Sequence, residues 1–142
     1  MVACPNRPRV VVVEDYILIQ ENIRLVLERD CDVVATAEDS EAALAAVAEF
    51  NPDVVTVDVS LPGSSGFVLA KRLGEMWPAI HIIFVTAHDD KTYIESAFEL
   101  GAKGYLLKSG LNSELPVAVR EVTAGRRYLS PRVRSKVQLN LG

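Results

Sequence analysis

Short, nearly continuous apolar runs alternate along this chain with stretches whose apolar residues recur every three or four positions. The runs are Val10–Val13, Val33–Ala37, Val54–Val57, Ile80–Val85 and Tyr105–Leu107. Most are rich in β-branched residues and few alternate with polar ones, which predicts strands buried on both faces. Between them, Ile19, Ile23, Val26 and Leu27 follow the i, i+4, i+7, i+8 spacing of one buried helix face. Leu44, Val47 and Ala48 mark a second helix, with Asp39 or Ser40 as its N-cap. Phe67, Ala70 and Leu73 mark a third after Gly66. Tyr93, Ala97 and Leu100 mark a fourth, closed by Gly101. Leu115, Ala118, Val119 and Val122 mark a fifth, capped by Asn112 and closed by Gly125. Five β-then-α units predict a parallel sheet with helices on both faces. After Gly125, Ser130-Pro131 reads as the start of a short helix with a weak stripe at Val133, Val137 and Leu141. That tail reads as a basic linker, residues 126–142, leading away from a domain spanning residues 9–125.

Composition fits one ordinary globular domain: 142 residues, 49% of them hydrophobic. Met1 to Pro8 holds no apolar stretch of signal-peptide length, and no run is long enough to cross a bilayer. Cys4 and Cys31 fit neither a disulfide framework nor a zinc site, so both read as free thiols in a reducing cytoplasm. The net charge is −4, yet the tail carries five basic residues (Arg126, Arg127, Arg132, Arg134, Lys136) and no acid. The rest therefore carries −4 − 5 = −9. Such an acidic body does not suggest nucleic-acid binding. The tail's charges read as solvated rather than phosphate-bound.

The strand ends carry the chemistry. The first run ends in Glu14-Asp15, the third in Asp58, the fourth in Thr86 and the fifth in Lys108. In a parallel sheet these ends share one edge, where open α/β sheets bind ligands. Like charges about 4 Å apart repel by about 4 kcal/mol at an effective dielectric near 20. Three acids therefore need more than Lys108 to offset them. A hard divalent cation such as Mg²⁺ suits such an oxygen cluster. A carboxylate nucleophile can form an acyl phosphate. Thr86 and Lys108 are then the donors for the transferred group's oxygens.

Taken in order, Val-Val-Val-Glu14-Asp15, Asp58-Val-Ser-Leu-Pro62 with Gly66, Val-Thr86-Ala87 and Gly101-Ala-Lys-Gly104-Tyr105-Leu-Leu-Lys108 resemble the receiver domain of two-component response regulators. The resemblance covers about Arg9 to Gly125. The tail, Ala124-Gly-Arg-Arg-Tyr-Leu-Ser-Pro131, further resembles the linker of the NarL/LuxR-type subfamily, where it precedes a helix-turn-helix domain.

This resemblance implies a flavodoxin-like (βα)5 fold, five parallel strands in the order 2-1-3-4-5. It implies Asp58 as phosphoacceptor for a sensor histidine kinase docking near the first helix. Mg²⁺ (or Mn²⁺) would be bound by Asp15, Asp58 and the Ser60 backbone carbonyl, with Glu14 acting through a water. Lys108 would pair with Asp58 and then with the phosphoryl group. Thr86 would swing to that group and Tyr105 would move inward behind it. Ser60 and His88 occupy positions that tune the lifetime of the phosphoryl group. Asp is the commoner residue where Glu14 stands. Phosphorylation would alter self-association, and DNA would be reached only through an absent output domain. The protein would be a cytoplasmic switch rather than an enzyme, with no membrane partner.

Two rival readings follow from the same residues. A small-molecule phosphatase would share the Asp nucleophile, but the haloacid-dehalogenase pattern needs a second Asp where Ser60 stands. An interaction module without phosphorylation would have no need of Asp58, Lys108 and Thr86 together.

Overall fold

Valine runs become strands because their β-branched side chains suit a pleated surface. Here they must face apolar layers on both sides. In a computed structural model that describes residues 7–137, β1 (Arg9–Val13) sends Val11 and Val13 into one hydrophobic cluster and Val10 and Val12 into another. The remaining strands are β2 (Asp32–Ala37), β3 (Val54–Val57), β4 (His81–Thr86), β5 (Gly104–Leu107) and β6 (Tyr128–Leu129). They form one parallel sheet in the order β2-β1-β3-β4-β5-β6. A small antiparallel hairpin, Ser60–Leu61 against Ser64–Ser65, follows β3.

The helices are α1 (Ile17–Leu27), α2 (Ser40–Phe50), α3 (Gly66–Met76), α4 (Lys91–Glu99) and α5 (Leu111–Thr123). Ile23 and Leu27 of α1 share one cluster with Leu115, Ala118, Val119 and Val122 of α5. Residues of α2, α3 and α4 fill the other. The sheet is thus covered on both faces, as a doubly wound fold requires.

Several local expectations need correction. The sheet has six strands, not five, because Tyr128–Leu129 pairs with Gly104–Tyr105. The tail does not lead away over its described part. It folds back, with Leu129, Ser130, Val133 and Val137 buried and a 3₁₀ turn at Pro131–Lys136. Leu141 lies outside the described residues, as does Cys4. The α2 face is set by Ala43, Ala46 and Val47, with Leu44 half-buried against the same cluster and Ala48 exposed; the small alanines let the helix lie close to the sheet. Asn112 does not cap α5, which starts at Leu111 after Gly110 with no side-chain cap. Asp39 is the α2 cap, its carboxylate accepting from the Ala42 amide at 2.8 Å. Gly101 and Gly125 follow α4 and α5 at φ of 98° and 90°, as the breaks in the pattern predict. Cys31 is a free, buried thiol, pushed up to about 11 by burial first and by the charge of Asp30. Among the described residues no helix is long and apolar enough to cross a membrane.

Candidate functional site

Strand register aligns the chemical groups. Val13 lies opposite Val57, so Glu14 and Asp58 leave adjacent strands side by side. Thr86 lies opposite Leu107, so Lys108 emerges just beyond Thr86. The Asp58 amide donates to the Val13 carbonyl at 3.3 Å, and the Glu14 amide to the Ala37 carbonyl at 2.9 Å. Backbone pairing, not side-chain packing, therefore fixes where both acids begin.

Lys108 Nζ lies 2.8 Å from Asp58 Oδ2 and 2.9 Å from Glu14 Oε1. The first contact is an aligned hydrogen bond; the second is a charge contact without that alignment. Asp15 completes a cluster in which one carboxylate oxygen each from Glu14, Asp15 and Asp58 lie within 4.8 Å of one another. Glu14 is 1% exposed and Asp58 6%, while Asp15 faces solvent. Fully ionised, three carboxylates and one ammonium sum to −3 + 1 = −2.

Burial is the main reason the Glu14 carboxyl titrates above its usual range; the nearby Asp58 charge adds to this, against the close Lys108 ammonium and a hydrogen bond from the Tyr16 amide. Burial works against the Lys108 ammonium, but the hydrogen bond to Asp58 and the close negative charges of Asp58 and Glu14 outweigh it and hold its pKa above normal. Lys108 is thus a fixed positive charge. Glu14 Oε1 is buried and makes no hydrogen bond among the described residues. A divalent cation fits these observations: an oxygen-only donor set, a net charge of −2 and a buried oxygen with an unused lone pair.

Around this cluster, the Ser60 amide donates to Asp58 Oδ1 at 3.2 Å, which brings the Ser60 peptide to the carboxylate. Ser60 Oγ lies 3.1 Å from His88 Nε2. Thr86 is fully buried, and its Oγ1 accepts from the His88 amide at 3.3 Å. Tyr105 is also fully buried, and its hydroxyl donates to the His88 carbonyl at 2.7 Å. Burial pushes the Tyr105 phenol well above its usual range, with the charges of nearby acids adding to it.

One residue of the site escapes pattern reading. Gln20 is 5% exposed and donates through Nε2 to the Glu14 carbonyl at 2.9 Å, bracing the turn that carries both acids. A glutamine at i−3 and i−7 from Ile23 and Leu27, on their buried face, is its signal. Gly66, which the sequence places at the entry to the third helix, has a steric reason to be there. A Cβ there would stand 2.1 Å from the Asp58 carbonyl oxygen, so only glycine lets α3 start against the acidic strand end.

The molecule is a doubly wound parallel domain whose strand ends gather an acidic pocket around one lysine. A sequence model of the response regulator receiver domain matches residues 10–120, and the chain belongs to that family. It is 33% identical over 130 residues to the transcriptional regulatory protein DegU of Brevibacillus brevis, covering 90% of this chain and 55% of that protein. It is 35% identical over 124 residues to the oxygen regulatory protein NreC of Staphylococcus haemolyticus, covering 85% of this chain and 57% of that one. The chain thus spans about half the length of the curated relatives it matches.

Solved structures agree. A LuxR-family two-component response regulator from Aurantimonas sp. SI85-9A1 matches with a TM-score of 0.87 and 34% identity, over 91% of this chain and 94% of that one. The isolated receiver domain of RcsB from Salmonella enterica serovar Typhimurium, with the phosphomimetic BeF₃⁻, matches with a TM-score of 0.87 and 25% identity, over 94% and 100%. These relatives support the receiver reading and the NarL/LuxR-type resemblance, and lend none to the small-molecule phosphatase.

Proposed function

We propose that Asp58 accepts a phosphoryl group from a phosphohistidine of a sensor histidine kinase. The observation that carries this is the convergence of Lys108 on Asp58 at 2.8 Å and on Glu14 at 2.9 Å, beside Asp15. A carboxylate oxygen of Asp58 forms the new P–O bond as the P–N bond to the imidazole breaks, and the released imidazole takes up a proton. Mg²⁺ or Mn²⁺, held by Asp15, Asp58, the Ser60 carbonyl and Glu14 through a water, would supply positive charge toward the phosphoryl oxygens. Lys108 orients Asp58 before transfer and neutralises the added charge after it. Thr86 offers a hydroxyl to a phosphoryl oxygen, and Tyr105 braces the loop behind it. Ser60 and His88 border the acceptor and govern how water reaches it.

The modification adds charge and acceptor oxygens, which shifts the domain between two conformers. One altered property is self-association as a homodimer. Transcription would be regulated through a DNA-binding output domain joined after the tail, as befits a relative of a protein named as a transcriptional regulator. The domain would be a cytoplasmic phosphoacceptor, not a turnover enzyme.

Acetyl phosphate with Mg²⁺ should label the wild-type chain with one phosphoryl group that hydroxylamine and base remove, as an acyl phosphate requires, and Asp58→Asn should remain unlabelled by intact-mass analysis. Equal labelling of that variant would reassign the acceptor. Beryllofluoride with Mg²⁺ should also change the elution volume of the wild-type chain on size exclusion.

A further inference from the structure

Helix α1 begins with little to hold it. Its N-cap Tyr16 and first two residues, Ile17 and Leu18, are exposed, and no side chain caps it. Its first turn carries no acid to complement the helix dipole. The first buried residue of the helix is Gln20. It lies on the face of Ile23 and Leu27, where an apolar side chain would continue the pattern. A polar residue there calls for a polar partner. The Gln20 backbone amide donates to the Tyr16 carbonyl at 2.9 Å, and its Nε2 donates to the Glu14 carbonyl at 2.9 Å.

The side-chain contact falls on the peptide between the two acids. The strand ladder runs out there: the Glu14 amide still pairs with the Ala37 carbonyl, whereas the Glu14 carbonyl turns to Gln20. A peptide unit is a rigid plane, so holding its carbonyl sets the direction in which Asp15 leaves the strand. The next peptide is held by the Tyr16 amide, which donates to Glu14 Oε2 at 3.1 Å. The Asp15 carboxylate itself makes no hydrogen bond or ion pair among the described residues, so its aim depends on these two peptides. Only one of the two ties is independent of the acids. The Glu14 carboxylate that holds Tyr16 also faces Lys108 at 2.9 Å and belongs to the acidic cluster. Gln20 stands outside that cluster, and its tie persists wherever the Glu14 carboxylate is drawn.

We propose that Gln20 is a positioning residue for the divalent cation: it touches neither the ion nor the phosphoryl group, and it sets metal affinity by fixing the turn that aims Asp15 beside Asp58. This rests on the reading of the acidic cluster as a Mg²⁺ or Mn²⁺ site. Partners that orient metal ligands typically control affinity by about 10–100-fold. A single hydrogen bond to the peptide before the ligand belongs at the lower end of that range. Positioning of this kind governs how well the ion binds, not the attack by Asp58 once the ion is in place. Raising the Mg²⁺ concentration therefore recovers what the loss of Gln20 removes.

Titration calorimetry with Mg²⁺ on the full chain reads this affinity directly, and urea unfolding without metal shows that each variant is folded. Gln20→Met keeps the length of the side chain and removes the donor. Gln20→Asn keeps the amide but falls one methylene short, and it carries the test if the first variant does not fold. In both, Kd for Mg²⁺ should rise by about tenfold. Labelling by acetyl phosphate should slow at low Mg²⁺ and return to the wild-type rate at saturating Mg²⁺. Ile23→Val is the control: it loosens the same buried face of α1 by one methyl group and leaves the Glu14 contact in place, so it should keep the wild-type Kd. An unchanged Kd in the Gln20 variants would overturn the positioning role and leave the metal site standing. So would an equal rise in Ile23→Val, which would trace the loss to the packing of α1, or labelling that stays slow at saturating Mg²⁺. A wild-type chain that binds no Mg²⁺ would overturn the metal reading, and the role of Gln20 with it.

Discussion

At the scale of single residues, Gly66 and Glu14 set the terms for the acidic pocket. A methyl group at Gly66 meets backbone, the Asp58 carbonyl oxygen at 2.1 Å, rather than a side chain that can turn aside. Gly66→Ala must therefore displace either α3 or the residue it abuts. Overpacking of this kind costs roughly 1–3 kcal/mol, and labelling by acetyl phosphate should slow with it. Gly74→Ala is the matched control in the same helix, with nothing within 4 Å of the added methyl. It should gain roughly 0.5–1 kcal/mol in urea unfolding and leave labelling unchanged. Glu14 predicts a pH dependence. Its folded-state pKa is raised by burial, so ionising it opposes folding. That penalty is absent below the ordinary carboxylate range and complete above the raised value. Bound Mg²⁺ needs the ionised form. Metal affinity, read by titration calorimetry, should therefore weaken as pH falls toward the raised pKa, at a higher pH than an ordinary glutamate would give. Glu14→Gln should flatten that dependence.

At the scale of elements, long apolar runs and strand ends were legible, and short edge elements were not. Asp58 and Lys108 could be placed from sequence because each directly follows a strand, and parallel strands end on one edge. Glu14 and Asp15 share that logic. The contact of Lys108 with Glu14 as well as Asp58 was not legible, because it depends on register, which a sequence pattern does not display. The tail was misread for a clearer reason. Two residues, Tyr128 and Leu129, are too few to show a period, so the added strand and the return of the chain were missed, while the short helix begun by Ser130-Pro131 is present as a 3₁₀ helix, Pro131–Lys136. Tertiary contacts give Ser130 a further use. It is fully buried and bridges the Leu107 amide at 3.0 Å and Glu114 Oε1 at 2.6 Å. Tyr128 also donates to Glu114, so one carboxylate ties α5 to two positions of the tail. Ser130→Ala strands a buried N–H and should cost roughly 1–3 kcal/mol. Urea denaturation with an unchanged m-value is the expected signature; a loss below a few tenths of a kcal/mol would mean water replaces the hydroxyl.

At the scale of the whole molecule, the acidic pocket acts on stability as well as chemistry. Its net charge of −2 is concentrated at one edge of the sheet, on strands β1 and β3 that form the centre of the fold. Repulsion there is borne by the same strands whose valines fill both clusters. A ligand that binds only this folded arrangement stabilises it by RT ln(1 + [L]/Kd), about 2.7 kcal/mol at a hundredfold excess over Kd. For a chain of this size, about 3 °C per kcal/mol is a fair conversion, so saturating Mg²⁺ should raise Tm by roughly 8 °C. NaCl at matched ionic strength should not reproduce the effect, because general screening is weak for buried pairs. Asp15→Asn removes an exposed ligand while leaving the Lys108 contacts untouched, so it should abolish most of the Mg²⁺ shift with little change in Tm without metal. Differential scanning calorimetry with and without Mg²⁺ reads both quantities. An equal Mg²⁺ shift in wild type and Asp15→Asn would place the ion elsewhere and remove the electrostatic reason for gathering three acids at one edge.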